Sequence, residues 1–75
     1  MAEYEINVGE VEGFQMTNNT TDLEQIFTRA KSTVIQGGIV LLTRKYADGR
    51  VEKFDELTSE SDLENYRQNV FKYLP

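Results

Sequence analysis

Acid–base chemistry in this chain would have to come from carboxylates, lysines or tyrosines, because its 75 residues contain no histidine and no cysteine. Two carboxylate pairs stand close in sequence, Glu10 with Glu12 and Asp55 with Glu56. Charged residues mostly face water, so solvated surface is the plainer account of both pairs. Ser32, Ser59 and Ser61 have no histidine and no evident lysine to activate them. Ser59 and Ser61 read better as helix caps. Gly9 with Gly13, and Gly37-Gly38, are not followed by the Gly-Lys-Ser/Thr of a phosphate loop. Without cysteine there is no disulfide and no thiol redox chemistry, and without histidine as well a structural zinc loses its usual ligands. A magnesium site built from acidic side chains has no spacing to argue for it. The expectation is a protein without catalytic, cofactor-binding or metal-binding residues, not an enzyme, acting through other proteins.

Charge narrows the partners. Thirteen acidic residues stand against eight basic ones, giving a net charge of −5. Phosphate contacts dominate nucleic-acid affinity, so direct, sequence-specific nucleic-acid binding is disfavoured. The aromatics fall mostly at core positions and do not interleave with Lys and Arg as a stacking platform requires. Tyr46 and Tyr73 are the two expected near the surface. Residues 1–24 carry Glu3, Glu5, Glu10, Glu12, Asp22 and Glu24 and no Lys or Arg, whereas Arg44, Lys45, Arg50 and Lys53 cluster in residues 44–53. Residues 55–64 are acidic again, with Asp55, Glu56, Glu60, Asp62 and Glu64, and part of this group has a local cause, since a helix N-terminus favours negative charge. An acidic N-terminal stretch and a basic hairpin complement one another, which suits head-to-tail association into a ring or other homo-oligomer. Surface charge serving only solubility is the competing account. The start of the chain has no signal-peptide pattern, and the longest apolar run, residues 39–42, is too short for a membrane span. A cytoplasmic protein with no membrane partner is expected.

The elements that would position these residues follow from periodicity. Residues 3–8 alternate, with Tyr4, Ile6 and Val8 on one face and Glu3, Glu5 and Asn7 on the other, as in a half-buried strand. Gly9 and Gly13 interrupt it; Val11, Phe14 and Met16 then suit a second short strand or an arm on a neighbour. A Thr21…Glu24 capping box opens a helix whose apolar face is Leu23, Ile26, Phe27, Ala30 and Val34, and Gly37 or Gly38 ends it. Residues 39–43 are β-rich and apolar on both faces at their start. Asp48-Gly49 marks a hairpin turn. A three-residue loop, Ala47-Asp48-Gly49, pairs Arg44 with Glu52 and Leu42 with Phe54, whereas a two-residue loop sets Arg44 against Lys53. A final helix starts near Ser59 or Ser61, with a Ser61…Glu64 capping box and a Leu63, Tyr66, Val70 and Leu74 face, and the chain reaches Pro75. The expected fold is a small single α+β domain of order β(β)αββα: an N-terminal strand or arm over residues 1–16, then an αββα unit over residues 17–75 with two helices packed on an antiparallel hairpin. Residues 1–16 are expected to pack less well on their own domain than residues 22–74 and to contact a neighbouring chain. A core this small gains from a partner subunit. Glu3, Tyr4, Glu5, Ile6, Glu10 and Glu12 on the arm, with Arg44, Lys45, Arg50 and Lys53 on the hairpin, are the candidate interaction residues.

Asp48-Gly49-Arg50, then Val51-Glu52 and Phe54, then Ser61-Asp62-Leu63 and Tyr66 resemble the small W-type head–tail joining proteins of lambda-like phages over about residues 21–74. That family has an Asp-Gly-Arg hairpin leading into a Ser-x-x-Asp-Leu-type helix start, with two antiparallel helices on a two-stranded sheet. The link from Phe54 to Ser61 is one residue longer here, the family's polar C-terminal tail has no counterpart up to Pro75, and the acidic N-terminal strand is an addition. The resemblance implies a non-enzymatic subunit that forms a ring between capsid portal and tail, with portal or tail components as partners and the virion as its location. The alternative from charge and size is an acidic regulator or inhibitor, such as a DNA mimic, that binds a basic protein surface. The interruption of the acids by Arg44, Lys45, Arg50 and Lys53 counts against it.

Overall fold

The computed structural model describes residues 2–72; the expectations placed on Tyr73, Leu74 and Pro75 lie outside them. The element order is β1 (Glu3–Asn7), α1 (Val8–Met16), α2 (Thr20–Ile35), β2 (Ile39–Lys45), β3 (Val51–Leu57) and α3 (Glu60–Lys72). The fold is α+β, with a three-stranded mixed sheet in the order β1-β2-β3. β1 runs parallel to β2, Glu3 opposite Ile39 and Asn7 opposite Thr43, and β3 runs antiparallel to β2. Parallel neighbours cannot be joined by a tight turn, and α1 with α2 supplies the crossover.

The first strand forms as its alternation predicts, with Ile6 buried and Glu3 and Glu5 exposed. The segment after it differs from the expected second strand or arm. Val8 to Met16 is helical, with Asn7 as N-cap accepting the Gly9 amide at 3.0 Å. The reason lies in the period: Val8 and Val11 are three apart and lie on one helical face, and both are buried. Residues 2–16 therefore do not stand off from the rest of the chain. Ile6 and Val11, each 2 % exposed, belong to the same core as Leu23, Phe27, Ala30, Val40, Leu42, Leu57, Leu63 and Val70. The strand expected to seek a neighbour's sheet adds to its own.

Two helix ends are built alike. After α1, Asn18 takes a φ of +56°, with the Asn18 and Asn19 amides donating to the carbonyls of Gln15 and Phe14. After α2, Gly37 (φ +84°) and Gly38 donate to Val34 and Thr33 in the same pattern. Both are Schellman ends, which satisfy carbonyls the helix leaves open. Asn19, not Thr21, caps α2: its side-chain oxygen accepts the Asp22 amide and its amide group donates to the Asp22 carboxylate. Of the two serines expected to open α3, Ser59 caps it, accepting the Asp62 amide at 3.1 Å. In both cases the helix begins earlier than the Thr21 and Ser61 boxes would have it, with an Asp in place of the Glu expected at the third helical position.

The hairpin has the three-residue loop. Tyr46 and Arg50 close it, the Gly49 amide donates to the Tyr46 carbonyl at 3.0 Å, and Gly49 sits at φ +88°. Arg44 pairs with Glu52 as predicted, but Leu42 pairs with Asp55 rather than Phe54. A bulge between Leu42 and Thr43 causes the shift and leaves Phe54 as the extra residue, so that Lys53 and Phe54 together oppose Thr43. The helices cover one face of the sheet, where Ile6, Val40, Leu42 and Leu57 point. Phe27 anchors that layer against α3, its ring centroid 5.7 Å from Tyr66 and 5.9 Å from Phe71 in tilted geometry.

Candidate protein-interaction surface

The ten residues singled out by charge and alternation do not form one surface. Opposite residues of neighbouring strands share a face, so the register sorts them. Tyr4 and Ile6 point under the helices, Ile6 wholly buried, and Ile6 is unavailable to a partner. Glu3 and Glu5 point to the other face, as do Lys45 and Lys53. Glu10 is exposed on α1, and Arg50 lies at the hairpin tip.

Part of the charge complementarity expected between chains is met within one. Arg44, on the helix side of β2, donates to the Glu12 carboxylate through both terminal nitrogens, at 2.7 and 3.4 Å. This fork joins α1 to β2 across 32 residues of sequence. The Arg44 hydrogen bond holds the Glu12 carboxyl below its usual range, and the same bond raises the already high Arg44 pKa. Tyr66 lies beside the pair. Burial pushes its hydroxyl up to about 12; the Glu12 charge adds to the shift and the Arg44 charge opposes it. Arg50 stacks over the Tyr46 ring at 4.5 Å and reaches Asp48 at 3.8 Å, and Lys53 reaches Glu56 at 3.5 Å.

The carboxylate pairs do not converge. Glu10 and Glu12 are two apart on a helix and do not face one another. Asp55 and Glu56 are successive residues of a strand and point to opposite faces, with Asp55 accepting the Glu56 amide at 2.8 Å. Ser32 accepts a hydrogen bond from Gln36. Among the described residues there is no group of three or more Asp or Glu side chains placed to hold a metal ion, and no helix is long and apolar enough to cross a membrane. An open groove of about 520 Å³ lies between α2 and α3, lined by Glu24, Thr28, Lys31, Glu60 and Arg67 around Phe27 and Leu63.

What charge did not reveal is apolar. β3 is exposed at six of its seven positions, and Val51 (49 %) and Phe54 (53 %) are among the exposed large hydrophobics. The register sets Val51 on the face turned away from the helices, and alternation from Asp55 turns Phe54 there too. Ile39 and Leu41, half-buried, share that face. The signal for β2 was present in its two apolar faces; the one for Phe54 was hidden, because an unbulged register puts it opposite Leu42 and under the helices.

Compared with known proteins, the chain matches no protein-family model, no curated protein and no solved structure.

Proposed function

We propose that the chain is a non-catalytic, protein-binding subunit that self-associates, and that it serves as a phage head–tail connector, a ring between portal and tail. The observation that carries the protein-binding part is the exposure of Val51 and Phe54 on β3, with Lys53 between them and Lys45 opposite Val51. Clustered apolar side chains rimmed by charge mark surfaces that a partner covers. The connector role rests on the resemblance of Asp48-Gly49-Arg50 through Tyr66 to the W-type joining proteins. The test is assembly: phage lysates lacking the chain should accumulate separate filled heads and tails, and purified full-length chain added back should join them. Heads and tails that join equally well without it overturn the connector role.

A further inference from the structure

The helices cover one face of the sheet and leave the other without a layer. On that bare face the register arranges Glu3, Glu5 and Glu56 toward one end and Lys45 and Lys53 toward the hairpin end, with Ile39, Leu41, Val51 and Phe54 among them. A sheet that meets water on one side normally alternates apolar-in with polar-out. Here four outward positions are apolar, and the two on the central strand are already half-buried.

We infer that this face pairs with the same face of a second copy, forming a two-fold dimer with the sheets stacked inside and the helices outside. The charges choose this occupant and its orientation. A two-fold axis running across the strands lays the acidic end of one copy on the basic end of the other, and does so twice. An axis running along the strands would set Glu5 and Glu56 of one copy over Glu56 and Glu5 of the other. Stacked sheets pack about 10 Å apart with their inner side chains interleaved, which covers Phe54 and Val51 on both copies. The bulge at Phe54 matters to this contact, since it puts Lys53 and Phe54 side by side on the bare face. The inference rests on the self-association part of the function proposed above and names its surface; a dimer closed this way needs a separate lateral contact to build a ring.

Sedimentation equilibrium of the full chain tests it, at concentrations up to roughly 100 µM, where a micromolar dimer is well populated. The wild-type chain should dimerise. Phe54→Ser should raise the dissociation constant at least about tenfold, and because Phe54 is exposed in the single chain its circular dichroism should stay that of the folded protein. Lys45→Glu with Lys53→Glu in one variant, and Glu3→Lys with Glu5→Lys in another, should each dimerise poorly alone and recover when mixed one to one. A monomeric wild type overturns both the inference and the self-association it rests on. A wild-type dimer indifferent to all three variants overturns this face alone and leaves self-association through another surface. Charge variants that fail to recover on mixing overturn the two-fold arrangement.

Discussion

Tyr66 joins the core to the surface: its ring packs on Phe27, while its hydroxyl lies within the field of Glu12 and Arg44. With a folded pKa of about 12 against 10.0 for a free tyrosine, the folded chain favours the neutral phenol. The associated stability is complete below pH 10 and is lost as pH rises through the window from 10 to 12. Tyr66→Phe should remove much of this alkaline sensitivity while changing stability at pH 7 by no more than about 0.5 kcal/mol, since the ring contact is kept. Melts at both pH values check it, and an unchanged alkaline loss in the variant would show that another group is responsible. Gly38 is fixed by a different constraint. A Cβ there would run into the Ala2 carbonyl, the group that accepts the Ile39 amide and starts the β1–β2 ladder. Gly38→Ala should therefore cost about 1–3 kcal/mol in a denaturant titration; a neutral result would mean that residue 2 moves freely. Neither constraint was legible in the sequence, because each joins residues more than twenty positions apart. The caps were partly legible: Ser59, one of the two serines expected to open α3, does cap it, whereas α2 is capped by Asn19 and not by Thr21.

At the level of elements, those with a local signal were read well. The hairpin loop is one, since Gly49 supplies the positive φ that a Cβ disfavours. Gly49→Ala should cost about 1 kcal/mol, measurable as a lowered melting temperature; no loss would mean the turn relaxes into another type. α2 and α3 follow from their apolar spacing. α1 escaped because it is only nine residues long and contains Gly9 and Gly13. Helices so short are marginal on their own and owe their stability to packing. Two valines on the core, the Asn7 cap and the Arg44 fork supply that packing, and a propensity argument sees none of it. Deleting residues 2–16 should consequently abolish the cooperative melt, since Ile6, Val8 and Val11 leave the core together. A truncated chain that still melts cooperatively would show that the hairpin with α2 and α3 is sufficient.

For the whole molecule, what the sequence concealed was the partner of the first strand. Alternation shows that Tyr4 and Ile6 need cover, but not whether it comes from the same chain. The answer is the free edge of β2, which a two-helix crossover makes reachable. The candidate surface was legible in its charges, Glu3 and Glu5 at one end and Lys45 and Lys53 at the other, and illegible in its apolar half until the bulge was seen. That bulge also disrupts the exposed edge strand β3, and with Lys53 beside it discourages indiscriminate strand addition.

The parallel pairing of β1 with β2 also sets a schedule. Every β1–β2 pair joins residues 36 apart, as 39 − 3 and 43 − 7 both show, whereas Arg44 and Glu52 on the hairpin are separated by only eight. Closing the longer loop costs about 1.3 kcal/mol more, so the hairpin should form before β1 docks. Ile6→Val should then speed unfolding and leave the refolding rate nearly unchanged; stopped-flow refolding that slows with the substitution would place β1 in the nucleus instead. During synthesis, at about 5–20 residues per second, β1 waits roughly 2–7 s for β2 to follow it out of the ribosome. Glu3 and Glu5, alternating with the apolar residues, keep a carboxylate next to every exposed apolar side chain of that waiting strand.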